Sequence, residues 1–317
     1  MLTSRPRPSG GTSSALCVNP ACFRWGTTLL DFATAAAGAG FDRVEVSIQQ
    51  ALALAEDLGG AGALAMRLAD LNLKVEEFSG LLPAGPVLPA PLLVDEAEWQ
   101  SAWITMDERL DVAAALGCQR AAVVRNPRTD VPEANARRAA IERLRLLADR
   151  VAPYGVSLAV EFIGVRSGLD PALDGQHPFV ADLAGVVELV EQVSRPNVGL
   201  LLDNCHLYAS CTTPDQIKEK CSGLIEFVQV SDVPAGVDPA DMCDEIRCPP
   251  GEGALDLPAL LASITDSGYS GPLSIELFSP AIWSLNPAEA ARRLFTAAVD
   301  GLGAVRRRGR HAPEEGS

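Results

Sequence analysis

Short apolar runs alternate with longer stretches of helical periodicity eight times along this chain, and that alternation restricts its fold more than any other feature. Apolar content and flanking turn signals place strands at 15–20, 43–48, 73–78, 121–125, 157–163, 198–203, 226–231 and 273–277. The helical stretches between them have one apolar face. Segment 133–152 carries Ala139, Ile141, Leu144, Leu147 and Val151 on one side, and segment 182–193 carries Leu183, Val186, Val187 and Val190. At 213–216, Thr-Pro-Asp-Gln supplies a capping threonine, a proline at the first helical position and a glutamine spaced for a capping box.

Strands and helices in strict alternation imply parallel strands joined by crossover helices. Eight such units fit an α/β chain folded as one (β/α)8 TIM barrel, for which about 250 residues is typical and insertions add length. The competing architecture is a doubly wound open sheet. Its first strand–helix turn would carry a glycine-rich phosphate-binding fingerprint, and Asn19-Pro-Ala-Cys-Phe-Arg-Trp25 has none. We expect the barrel over 15–304, a polar leader over 1–14 and a polar tail over 305–317, whose arginines are a solvated end. The longer stretches 80–95, 164–179 and 233–253 all follow strands, the side on which barrels build active sites.

The charge balance limits the partners. With 26 Lys and Arg against 41 Asp and Glu, the net charge is −15, which opposes phosphate backbones and anionic membranes. Neither nucleic acid nor a membrane is expected as a partner. No segment has the apolar length of a membrane span or a secretory h-region. The eight cysteines lack the paired spacing of structural zinc or redox motifs, so reduced thiols in a cytoplasmic protein are expected. Cys205 and Cys248 have no assignable base, and no nucleophile is assigned to them.

The last four strands share a peculiarity. SLAVEFI contains Glu161, VGLLLD ends in Asp203, FVQVSD contains Gln229 and LSIELF contains Glu276. Each places one oxygen-bearing side chain among apolar neighbours near a strand's C-terminal end, and adjacent strands bring the four together. Three carboxylates so close repel unless one is protonated or a cation is shared, and a divalent metal is the simplest such cation. Asp232 competes with Gln229 for the polar end of the seventh strand. Glu77 and Arg125 lie where they would line the pocket or form structural ion pairs. His177 suits a loop surface or a lid, and Trp25 and Trp283 suit an apolar wall or core packing.

These residues resemble the xylose isomerase-like barrels, also called the sugar phosphate isomerase/epimerase or AP endonuclease 2 superfamily. The resemblance runs from LCVNPACFRW through GFDRVEV, AVEFI, PNVGLLLDNCHLY and FVQVSD to RCPPGEGALDLPALLASITDSGYSGPLSIELFSP. It implies one divalent metal held by Glu161, Asp203, Gln229 and Glu276, with Gln229 standing where many relatives have histidine. An all-oxygen set favours Mn2+ or Mg2+, with Co2+ or Zn2+ as the softer alternatives. The resemblance also places His206 and Arg247 against a substrate, Arg247 equally fitting a salt bridge that pins its loop. The nuclease branch is excluded: its three-zinc cluster needs histidines from early strands, and the chain has only His177, His206 and His311.

The chemistry implied by the non-nuclease members is proton abstraction beside a carbonyl, through a metal-stabilised enediolate. Glu161 and Glu276 would form the acid/base pair, and His206 would serve a substrate oxygen. The leading expectation is an isomerase or epimerase of a small polyhydroxy carbonyl compound. A dehydratase (lyase) of the 3-dehydroshikimate or inosose type is the first alternative, and a metal-free binding barrel the second. Relatives of this kind are often dimers or tetramers, so a homo-oligomer is compatible with the resemblance.

Overall fold

The computed structural model describes residues 15–82, 92–124, 127–166 and 175–308, with side chains to 303. Eight strands close into a barrel: β1 Leu16–Val18, β2 Arg43–Ser47, β3 Lys74–Ser79, β4 Arg120–Val124, β5 Ser157–Glu161, β6 Val198–Asp203, β7 Ile225–Val230 and β8 Leu273–Ile275. Each strand pairs in parallel with its sequence neighbours, and β1 pairs with β8 to complete the ring. This is a single-domain (β/α)8 TIM barrel, as the alternation predicts. The expected leader lies outside the described residues, as do Arg125 and the tail beyond 308. The last helix, Pro287–Arg308, runs into the segment expected to be tail.

The surrounding helices begin where capping chemistry says they should. Thr28 caps Leu29–Ala39, Asp182 caps Leu183–Val193 and Asp256 caps Leu257–Asp266, each accepting from a backbone N–H of the first turn. The expected box at Thr213 is formed: its hydroxyl accepts from Gln216 N and the Gln216 side chain accepts from Thr213 N. A feature absent from the sequence reading is a short antiparallel ribbon, Arg128–Thr129 against His177–Pro178. It joins the segments that follow β4 and β5, and it half-buries His177.

Period-two alternation fixes what faces the barrel axis. Cys17, Ala122, Ala159, Leu201 and Phe227 form a buried apolar cluster inside the ring. The residues two further along each of these strands face the same way, one layer nearer the C-terminal rim. From β1, β5, β6 and β7 they are Asn19, Glu161, Asp203 and Gln229. An apolar plug therefore carries a polar layer, and the register pairs Asp203 with Gln229 and Gln229 with Ser274. The main core lies outside the ring, where the other strand face meets the helices through residues such as Phe32, Phe78, Leu144, Val186 and Leu294.

Candidate active site at the C-terminal rim

Six side chains of the polar layer line one small cavity: Asn19, Glu45, Glu77, Glu161, Gln229 and Glu276. Its volume is about 30 Å3, room for a water-sized occupant and not for a sugar. Asn19 and Gln229 tie two of the acids into a closed ring. Asn19 Nδ2 donates to Glu45 Oε2 at 2.8 Å and to Glu276 Oε1 at 3.0 Å. Gln229 Nε2 donates to the same two carboxyls, to Glu45 Oε2 and Glu276 Oε1 at 3.1 Å each. Ser274 adds a hydrogen bond to Glu45 Oε1. Gln229 Oε1 is buried and, among the described residues, has no hydrogen-bond partner.

Asp203 is held from two sides. Its Oδ1 accepts from Cys205 N at 2.7 Å, and its Oδ2 accepts from Arg247 Nη1 at 2.6 Å. The same nitrogen reaches Glu276 Oε2 at 3.2 Å, and Arg247 Nη2 bonds Asp244 Oδ1. Arg247 is 2% exposed, and its guanidinium lies over the Phe278 ring at 5.4 Å. Its backbone is fixed by the neighbouring bridge, in which Asp232 and Cys248 exchange N–H···O bonds of 2.8 and 2.9 Å. The salt-bridge reading of Arg247 has this physical counterpart: its ion pairs pin its loop to the strand ends.

His206 follows Asp203 on the short helix Asn204–Ala209. Asn204 clamps that helix to the end of β7, donating to Ser231 O at 2.8 Å and accepting from Ser231 N at 2.9 Å. The turn after β5 also presses on it. A Cβ on Gly164 would lie 2.3 Å from His206 O, so only glycine permits the approach. His206 Nε2 lies 3.7 Å from Glu161 Oε1, and Nδ1 is buried and unpartnered. Glu161, Asp203 and His206 bring one ligand atom each within 4.8 Å of one another, the arrangement a cation needs.

Burial sets the protonation of this layer, with charge neighbours second. It pushes Glu161, Glu276 and Glu77 well above the usual carboxylate range; Asp203 adds to the effect on Glu161, Glu161 on Glu276 and Glu45 on Glu77. Glu45 rises to about 7 by burial, moderated by Ser274, Gln229 and Asn19. Asp203 goes the other way: burial raises it, but Arg247 and His206 outweigh burial and keep it ionised. Burial lowers His206 below the ordinary imidazole value.

Several sequence expectations take different places. Asp232 does not compete for the site, because its carboxylate accepts from Val233 N, Leu255 N and Gly251 N and so pins the loop. Glu77 lines the cavity and, among the described residues, forms no ion pair; the neighbouring Glu76 does, with Arg43, Lys74 and Arg120. Trp283 donates to Ala21 O at 3.0 Å and meets half-exposed Trp25 edge to face at the rim. Glu45, Asn19, Ser274 and Asp244 were not expected in the site. Glu45 alone has a signal in the sequence, an acid between Val44 and Val46.

Comparison with known proteins agrees with this architecture. The sequence is 32% identical over 169 residues to the inosose isomerase of Bacillus subtilis, covering 52% of this chain and 55% of that protein. It is 28% identical over 255 residues to the 3-dehydroshikimate dehydratase of Pseudomonas putida, covering 80% of this chain and 36% of that one. The chain therefore spans about half the length, or less, of these curated relatives. Among solved structures, the IOLI protein with a bound zinc atom superposes with a TM-score of 0.77 at 24% identity, covering 92% of this chain and 99% of that one. Residues 33–297 match the family described as the xylose isomerase-like TIM barrel, and this chain belongs to it.

Proposed function

We propose that this chain is a divalent-metal-dependent isomerase or epimerase that moves a proton beside the carbonyl of a small polyhydroxy compound. The observation that carries the reading is the convergence of Glu161, Asp203 and His206 within 4.8 Å. That cluster offers two carboxylates, from β5 and β6, and an imidazole nitrogen; Glu276 at the end of β8 and the unpaired Gln229 Oε1 would complete an oxygen-rich set suited to a hard cation. Glu161, Asp203, Gln229 and Glu276 would hold the ion, which when bound would polarise the carbonyl and stabilise the charge developing beside it.

The chain's own residues divide the remaining work. Glu161 and Glu276 come from β5 and β8 and flank Asp203 and Gln229, so one can take a proton while the other returns it. Burial raises both carboxyls well above the ordinary range, which favours the protonated form an acid needs. His206, with Nδ1 unpaired, serves a substrate oxygen. Arg247 fixes the orientation of Asp203 and Glu276 and offers its charge to a substrate hydroxyl or carboxylate at the rim. The relatives favour this reading over simple binding, since those that match are isomerases and dehydratases.

A dehydratase is the second reading. It is favoured by the long match to a 3-dehydroshikimate dehydratase. Both readings are tested by incubating metal-loaded protein in deuterated water with ketoses, inososes and 3-dehydroshikimate. Deuterium incorporation without loss of water supports the isomerase or epimerase; loss of water makes the chain a lyase. A protein that binds no stoichiometric divalent ion and keeps its stability in chelator is neither.

A further inference from the structure

We propose that Glu45 is a positioning residue that locks the Gln229 amide with its nitrogen on Glu45 and Glu276 and its oxygen unpaired, and thereby sets the site's preference for hard cations over Zn2+. The inference rests on the metal-site reading above.

The geometry leaves the amide one orientation. Gln229 Nε2 meets oxygens of two carboxyls, Glu45 at 3.1 and 3.3 Å and Glu276 at 3.1 Å. With those two carboxyls ionised, the form that binds a cation, a turned-over amide would put Oε1 against acceptors and lose both hydrogen bonds. Glu45 itself cannot move to follow a flip. It is 2% exposed on β2, and it accepts from Asn19 and Ser274 as well as Gln229. Asn19 is fixed in turn, because its Oδ1 accepts from Ala21 N at 2.7 Å. The chain Ala21–Asn19–Glu45–Gln229 thus carries orientation from the β1 turn across the barrel to β7.

The unpaired Oε1 is the consequence. A buried amide oxygen without a donor is an uncompensated acceptor, and a cation is the partner its position suits. With Glu45 in place, the atom offered from β7 is an oxygen; with the amide free to turn, it is as often a nitrogen with no lone pair to give. An outer residue that fixes a ligand in this way alters affinity and selectivity without touching the ion.

The test is the affinity of full-length protein for Mn2+ and for Zn2+, each measured alone by titration, with the Mn2+ complex also read by electron paramagnetic resonance. Glu45→Gln gives Gln229 an amide neighbour that satisfies either orientation. A loss of Mn2+ affinity of about 10-fold or more, a fall in the Mn2+/Zn2+ affinity ratio and a broadened resonance are expected. Gln229→Met, which lacks the oxygen, should lose Mn2+ affinity at least as far. If the Glu45 variant does not fold, Ser274→Ala gives the same readout, loosening Glu45 while keeping its charge, with a smaller fall in the ratio expected. An unchanged ratio and resonance in a folded variant that binds Mn2+ as the parent does would overturn the role of Glu45 and leave the metal site standing. A parent chain that binds neither ion overturns the metal-site reading itself.

Discussion

At Arg247, one guanidinium nitrogen serves two buried carboxyls. Nη1 contacts Asp203 and Glu276 while Nη2 holds Asp244, so a strong cation is built into the layer. Arg247→Met would keep much of the packing over Phe278 but leave Asp203 buried without its counter-charge. Breaking a buried pair from one side costs about 3–5 kcal/mol, and urea unfolding of metal-free protein should show a loss of that order. Added Mn2+ should recover part of it by supplying another charge to the same oxygens. The loop position of Arg247 gave the sequence no means of naming these partners, since Asp203 lies 44 residues away. Asp203, Gln229, Glu161 and Glu276 were legible for a simple reason: a polar residue in an apolar strand has only two faces to choose from. Glu77 lines the cavity, one of the two places its strand position allowed, whereas Glu76 needs the pairing register as well. Glu76 is the extra residue of a register shift between β2 and β3, so alternation alone does not place it.

Among the elements, β3 makes that choice visible. It sends Glu77 into the cavity, while Glu76, the unpaired residue of a register shift between β2 and β3, meets Arg43, Lys74 and Arg120. Burial raises Glu76, but Lys74 and then Arg43 outweigh burial, and the carboxyl lies below its ordinary 4.5. Because the folded value is the lower one, the stabilisation is present above pH 4.5 and is lost as pH falls through the folded value. Glu76→Gln should therefore cost about 2 kcal/mol near neutrality, and the gap from the parent should close in acid. Urea unfolding at pH 7 and pH 3.5 checks both halves. Element boundaries were legible where capping chemistry marks them, as at Thr213. They were not where pairing alone decides: β8 stops at Ile275, one residue before Glu276, and each strand of the 128–129/177–178 ribbon is too short to carry a periodicity.

For the whole molecule, the polar layer sets the balance between stability and cation binding. Glu45, Glu77, Glu161 and Glu276 all have folded values above 4.5 because the barrel buries them together, and they share neighbours, so they titrate as a group. Between 4.5 and those raised values the folded chain keeps protons that the unfolded chain has released. Stability of the metal-free protein must then fall as pH rises, by up to about 1.4 kcal/mol per pH unit for each proton held. His206, lowered by burial, pulls the opposite way below its ordinary 6.5, but it is one group against four. A bound divalent ion reverses the slope, because the ionised carboxylates are then the form that binds, and saturation at 100 times Kd adds about 2.7 kcal/mol. Unfolding in urea at pH 5 and pH 8 should show chelated protein weaker at pH 8 and Mn2+-saturated protein stronger there. Chelated protein that is as stable at pH 8 as at pH 5 would mean that the four carboxyls are ionised without an ion, and that Arg247, Asn19 and Gln229 suffice to hold them.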